Sequence, residues 1–300
     1  MADVTRRLVG RTAIVTGASR GLGKAIAVAF AREGASVAVV ARTEQQWSPR
    51  LPGTIHDTVA EIEAAGGHAV AVAADLSRPQ DVDRAVEETR AALGPVDLLV
   101  NNAALTVGGR PPARGSENGS SQPEKPAGLR NLRDRPLPGS FLDYPLKSFR
   151  LHFEIGLFAS YRLMQLVLPD MVAAGRGAIV NITSLAAFLP GEGPYTTERR
   201  GPIAYGGNKA ALHHLTECVA AEMQRHGIAV NALAPSEPVE TPGNQYASAG
   251  EADWATSEDF AEATVRVALA DAATTTGRIL WSDDILHPEL GARGWLRSLP

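Results

Sequence analysis

Cysteine is almost missing from this chain. Cys218 is the only one in 300 residues, which excludes an intrachain disulfide and a cysteine-built zinc site and suits a reducing compartment. Long apolar runs are missing too: no stretch approaches the roughly eighteen residues that mark a membrane-spanning helix. Positive charge is not in excess, since 29 Lys and Arg stand against 33 Asp and Glu for a net charge of −4, so the basic footprint of a nucleic-acid binder is lacking. Histidines are few and scattered. His213 and His214 are adjacent and face different ways on a helix, and His56, His68, His226 and His287 stand singly, so no metal is expected. The polar stretch Met1-Ala2-Asp3-Val4-Thr5-Arg6-Arg7 leads directly into a strand pattern and does not read as a signal peptide. The expectation is a soluble cytoplasmic protein without membrane or nucleic-acid partners.

What is present is an alternation. Short β-branched runs at 12–16, 36–41, 69–74, 96–101, 178–183, 229–234 and 278–282 alternate with helical patterns at 21–33, 54–65, 79–93, 151–174, 204–226 and 257–271. That is the βαβ rhythm of a parallel sheet. Several of the runs are apolar on consecutive residues, as strands covered on both faces should be. The pattern predicts a single-domain α/β Rossmann fold over 1–300, with a doubly wound seven-stranded parallel sheet and helices on both faces. Two stretches break the rhythm, 106–140 and 189–202. Both follow strands at the carboxyl edge of the sheet, where open α/β folds bind ligands.

At the end of the first strand run stands Thr16-Gly17-Ala18-Ser19-Arg20-Gly21-Leu22-Gly23. Glycines between a strand and a helix permit a tight turn and bring backbone N–H groups and the helix N-terminus close to a diphosphate. The strand run that follows ends in Val39-Val40-Ala41-Arg42 with no acid. An NAD site usually places a carboxylate there for the ribose 2′-hydroxyl. Arg42 and Arg20 could instead embrace a 2′-phosphate, which guanidinium geometry suits. Both also read as ordinary surface arginines; taken jointly with the missing acid they favour NADP(H) over NAD(H).

Far downstream, Ser184 follows a strand run, and Tyr205-Gly206-Gly207-Asn208-Lys209 opens a helical one. Residues four apart on a helix share a face. A free phenol titrates near pH ~10, and a neighbouring ammonium would lower that value. Such a set can protonate a carbonyl oxygen while a hydride attacks its carbon.

These motifs together resemble the short-chain dehydrogenase/reductase family over nearly the whole chain. The resemblance places the cofactor turn at Gly17, Ser19, Arg20, Gly21, Leu22 and Gly23, and an adenine-side pair at Asp75 and Leu76. It places the family's Asn-Asn-Ala-Gly at Asn101-Asn102-Ala103-Ala104, and the catalytic serine, tyrosine and lysine at Ser184, Tyr205 and Lys209. Lys209 would also hold the nicotinamide ribose, with Asn102, Tyr205, Pro235, Val239 and Thr241 nearby. A small-molecule carbonyl or alcohol substrate follows, and a homodimer or homotetramer built on the helices at 151–174 and 204–226. A narrower likeness, at Leu51-Pro52-Gly53-Thr54-Ile55 and Thr276-Gly277-Arg278-Ile279-Leu280-Trp281 among others, is to the hydroxysteroid dehydrogenase-like branch.

The chain departs from the family at five places. The catalytic asparagine of the helix before the fifth strand falls, counting back from Leu168-Pro169, on Gly156. Glycine there implies a kinked helix, a substitute from a neighbouring chain, or slow turnover; His152 and Glu154 nearby read as helix-surface residues. Ala104 and Ser236 replace glycines. The serine–tyrosine spacing is long, with the extra residues at 190–202, among them Tyr195 and Arg199 as a decoy pair. The stretch at 106–140 carries Arg110, Arg114, Arg130, Arg133 and Arg135, and reads equally as a lid for an acidic substrate and as a solvated loop. Two alternatives to a reductase stay open: an NADPH-binding sensor or partner protein, and a non-redox dehydratase or epimerase on the same scaffold.

Overall fold

Strands β1 (Thr12–Thr16), β2 (Ser36–Ala41), β3 (His68–Ala73), β4 (Leu98–Asn101), β5 (Gly177–Ile182), β6 (Ile228–Ala234) and β7 (Ile279–Trp281) form one sheet in the order β3-β2-β1-β4-β5-β6-β7. Every neighbouring pair runs parallel. A computed structural model describes residues 6–46, 48–49, 51–105, 141–142, 144–194, 202–247 and 255–290 of the chain. The expected arginine-rich stretch at 106–140, and Tyr195 with Arg199, lie outside the described residues.

The strands are apolar on consecutive residues because helices cover both faces. On one face, Ala13 and Val15 pack with Ile26 and Phe30 of α1 (Gly21–Arg32), Ile55 and Ile62 of α2 (Ile55–Ala64), and Phe260 and Val265 beyond β6. On the other, Ile14 packs with Val82 and Val86 of α3 (Pro79–Leu93) and with the long helix that precedes β5. This is the Rossmann arrangement predicted from the sequence. The strand order reverses between β1 and β4, and a crevice opens at their carboxyl ends.

The differences from the predicted elements have local causes. β4 starts at Leu98 rather than at residue 96, because Asp97 is drawn into a polar cluster: Arg11 Nε donates to its carboxylate at 2.6 Å, and Thr12 N at 2.9 Å. The helix predicted over 151–174 begins earlier, as α4 (Leu146–Phe153). It then widens into a π-helical turn at Glu154–Phe158 before continuing as α5 (Ala159–Ala174). The distortion expected at Gly156 is thus present, as an extra residue in one turn rather than a sharp kink. The helix predicted over 204–226 is α6 (Ile203–Met223), with a tight last turn closed by Gly227 at φ 71°. Beyond β6 come α7 (Pro242–Ala247), α8 (Ser257–Ala268, capped by Thr256 through Asp259 N at 3.0 Å) and α9 (Ser282–Leu286).

A chain of buried polar side chains crosses this framework. Asn101 Nδ2 donates to Asn181 Oδ1 (2.8 Å), Asn181 Nδ2 to Thr216 Oγ1 (2.8 Å), and Thr216 Oγ1 to Leu212 O (2.7 Å). It links β4, β5 and α6.

Candidate active site

The carboxyl ends of β1, β4, β5 and β6 converge on one cavity of ≈ 870 Å³, within the range of small-molecule sites. At the β1 end, Gly17 and Gly21 adopt φ 67° and 54°, which L side chains rarely tolerate. Gly23 allows close approach: a Cβ there would strike Gly17 O and lie 2.5 Å from Asn102 Nδ2. Thr16 ties this turn to the end of β4. Its Oγ1 accepts from Asn102 N (3.0 Å) and Ala103 N (3.1 Å), and Asn102 Nδ2 donates to Thr16 O (2.8 Å). Gly23→Ala should therefore lower stability by about 1–3 kcal/mol through overpacking, read as a lower urea midpoint; an unchanged midpoint would show that the turn has slack.

Arg20 and Arg42 line one end of the cavity with Thr43, Leu51, Asp75 and Leu76. Arg20 Nη2 donates to Gly53 O at 2.9 Å, and its Nε is buried without a partner. Burial, and then the charge of Arg42, hold the Arg20 guanidinium below its usual pKa. Two cations thus line the same end of the cavity, near enough for the charge of one to act on the other. Asp75 is folded into its own turn, accepting from Ser77 Oγ at 2.7 Å.

At the other end stand Ser184, Tyr205 and Lys209. Ser184 stands two residues past the end of β5 in extended conformation, and its Oγ accepts from Ala186 N at 3.2 Å. The Ser184 hydroxyl lies close enough to Tyr205 to favour its phenolate. Lys209, 2% exposed, donates from Nζ to Ile182 O at 2.6 Å and lies 5.8 Å from the centre of the Tyr205 ring. Burial lowers Lys209 to about 8. Burial also pushes the Tyr205 phenol above its ordinary value, and the nearby Ser184 hydroxyl opposes that rise. The sequence-based expectation of a phenol lowered by the lysine is therefore corrected: desolvation governs Tyr205 and leaves it a neutral acid. Behind them, His213 Nε2 and Thr183 Oγ1 are 2.6 Å apart, and burial, then the Lys209 charge, hold His213 at about 4.

Pro235, Val239 and Thr241 line the same cavity. Thr241 packs against the phosphate turn, 3.4 Å from where a Gly21 Cβ would stand. Ser236, in place of the family's glycine, has its own work: its Oγ accepts from Asp283 N at 3.0 Å, and its N donates to Ser282 Oγ at 3.0 Å, joining the end of β6 to α9. The structure corrects the surface reading of His152. That ring lines the cavity, edge-on to Tyr205 at 6.4 Å between centres, with Nδ1 buried and unpartnered. Tyr144, Ile155 and Asn244 also line the cavity unforeseen; an apolar period at Leu146, Phe149 and Phe153 was the available signal for the first turn of that helix.

The family model described as short chain dehydrogenase matches residues 11–119 and 127–252. The chain belongs to this family. It is an oxidoreductase of the CH–OH/C=O class. Across 229 residues it is 33% identical to the 7alpha-hydroxysteroid dehydrogenase of Escherichia coli K12, covering 76% of this chain and 71% of that one. It is 30% identical to hydroxysteroid dehydrogenase-like protein 2 of Danio rerio over 295 residues, 96% of this chain and 61% of that protein. A solved 7 alpha-hydroxysteroid dehydrogenase, complexed with NADH and 7-oxo glycochenodeoxycholic acid, superposes with a TM-score of 0.71 at 28% identity, covering 92% of this chain and 94% of the other. Among the described residues no helix is long and apolar enough to cross a membrane, and no three metal-binding side chains cluster.

Proposed function

We propose that this protein is an NADP(H)-dependent reductase or dehydrogenase that interconverts a carbonyl and a secondary alcohol, the whole chain acting as one domain. The observation that carries the proposal is the placement of Ser184, Tyr205 and Lys209 on the wall of a cavity continuous with the Gly17–Gly23 turn. The residues fit a dinucleotide. Gly17, Ser19, Gly21, Leu22 and Gly23 would face the diphosphate, Arg20 and Arg42 the 2′-phosphate, and Asp75 and Leu76 the adenine. Asn102, Pro235, Val239 and Thr241 would border the nicotinamide, and Tyr205 and Lys209 its ribose. The bound nicotinamide supplies or accepts the hydride. Ser184 hydrogen-bonds the substrate oxygen, Tyr205 gives or takes its proton, and Lys209 stabilises the phenolate left behind.

The cofactor preference rests on the two arginines that line one end of the cavity and the lack of an acid at the end of β2. Arg42→Ala is expected to weaken NADPH binding by about 1.5–3 kcal/mol, the worth of charged hydrogen bonds, while NADH binding barely changes. Fluorescence titration with both cofactors measures this, and equal losses would sink the preference. Phe158 (52% exposed), Tyr161 (47%) and Val172 (38%) leave apolar surface along α5 and the turn before it, which supports a homodimer or homotetramer through this helix and α6. The exposed free thiol of Cys218 suits a reducing cytoplasm.

A further inference from the structure

His152 lies in the last turn of α4, directly before the π-helical turn, and its ring is set edge-on against Tyr205 at 6.4 Å between ring centres. Phe153 beside it packs on α6, with Cζ 3.7 Å from where a Gly207 Cβ would stand, and stacks on Phe149 at 4.8 Å between centres. These contacts leave the imidazole on the cavity wall with Tyr144 and Ile155.

The two ring nitrogens have different surroundings. Nδ1 is shut off from solvent and has no hydrogen-bond partner. Nε2 is not shut off in this way, and among the described residues no hydrogen bond engages it, so it is the polar atom of the ring left to the cavity. Burial holds the ring below its ordinary pKa, so at pH 7 it is neutral and carries one N–H. Orphaned N–H groups are rarer in protein interiors than orphaned lone pairs, which assigns the proton to Nε2. Phenylalanine would fill the same space against Tyr205 without burying an unpaired nitrogen. The imidazole is explained by what Nε2 can hold.

We propose that His152 is a specificity-determining residue: its Nε2–H donates to a second oxygen of the substrate, on the carbon next to the one that is reduced or oxidised. The site then selects vicinal dioxygenated compounds, 1,2-diketones and α-hydroxyketones, over simple ketones. The spacing of the two rings suits this. It is bridged by two hydrogen bonds of about 2.8 Å and the short gap between oxygens on neighbouring carbons. Tyr205 exchanges the proton with the reacting oxygen, while His152 keeps its own and only holds. A simple ketone would leave the Nε2–H facing nothing, and a donor left unpaired is how a site rejects the analogue that lacks the acceptor. This rests on the proposed roles of Ser184, Tyr205 and Lys209.

The test uses the full chain with NADPH and two probes of one carbon skeleton, diacetyl and butanone. kcat/KM is measured for each. Kd is measured for each by NADPH fluorescence in the Tyr205→Phe background, where little turnover interferes. His152→Phe should lower kcat/KM and raise Kd for diacetyl about fivefold more than for butanone, the loss expected of one neutral hydrogen bond. His152→Gln, whose amide nitrogen reaches the place of Nε2, should recover most of that excess. His152→Asn, whose amide reaches only the place of Nδ1, should not. Equal losses for the two probes, or recovery by asparagine and not by glutamine, overturns the proposal. Diacetyl bound no more tightly than butanone by the protein with His152 in place overturns it too. The Kd arm needs no hydride transfer, so the two failures separate: no NADPH oxidation with any carbonyl defeats the reductase reading, and a Kd indifferent to His152 defeats only the role of His152.

Discussion

Tyr205→Phe is expected to lower NADPH-dependent reduction of an activated diketone or quinone by about 10²–10⁴, the usual contribution of a positioned acid or base. NADPH binding should persist. The reasoning is geometric. The phenol lies beside the Ser184 hydroxyl and shares the cavity with the cofactor turn, and burial keeps it protonated and so able to donate. Phenylalanine retains the ring against His152 and removes only the hydroxyl, so lost turnover with intact binding would be a loss of proton transfer. Measurement is by absorbance of NADPH at saturating cofactor, with binding followed by fluorescence. Turnover equal to wild type would remove Tyr205 from the chemistry. Tight binding with no turnover in the wild-type protein would favour the sensor or the non-redox enzyme.

Lys209→Met is expected to abolish the same turnover and yet stabilise the fold at neutral pH. The folded lysine is held at about 8 against 10.5 for the free side chain. Below pH 8 it is charged both folded and unfolded, and the folded state bears the full cost of burying that charge. Between the two values the unfolded chain binds more protons, so wild-type stability rises with pH; above 10.5 the cost is gone. The displacement corresponds to about 3 kcal/mol as an order of magnitude, reduced by the lost bond to Ile182 O. Methionine, similar in length and uncharged, should gain about 1–3 kcal/mol at pH 7, and the gain should fade as the pH passes the free-lysine value. Urea midpoints at the two pH values check this, and a variant less stable than wild type at pH 7 would refute it.

Such a cost is visible only in three dimensions, which bears on how far the sequence could be read. Strands were legible because runs such as Thr12-Ala13-Ile14-Val15-Thr16 are buried on both faces and carry no polar alternation. The glycine turn and the Tyr205–Lys209 spacing were legible because backbone geometry and helix periodicity constrain them locally. The start of α4 was missed because Lys147, Ser148 and Arg150 interrupt its apolar period. The ionisation of Tyr205 was misjudged because a spacing of four conveys a shared face and nothing of the desolvation around it. Gly156 was recognised as a departure, but the Asn208 side chain that fills the space beside it sits on another helix, and only the packing of the two helices brings them together. Ser236 likewise read as a lost glycine until α9 came against it.

The buried file of Asn101, Asn181 and Thr216 acts as a dowel through two strands and a helix. Each side chain hands its proton in the same direction, and each finds its acceptor only if β4, β5 and α6 are in this one register. Sliding α6 by a residue would strand Asn181 Nδ2 in the core, at about 1–3 kcal/mol, and swing Lys209 away from Ile182 O. The alignment of the reacting groups is thus set behind the cavity, by residues that touch nothing entering it. Loops at the mouth can be recast for a new substrate while the dowel keeps the tyrosine and lysine where they are.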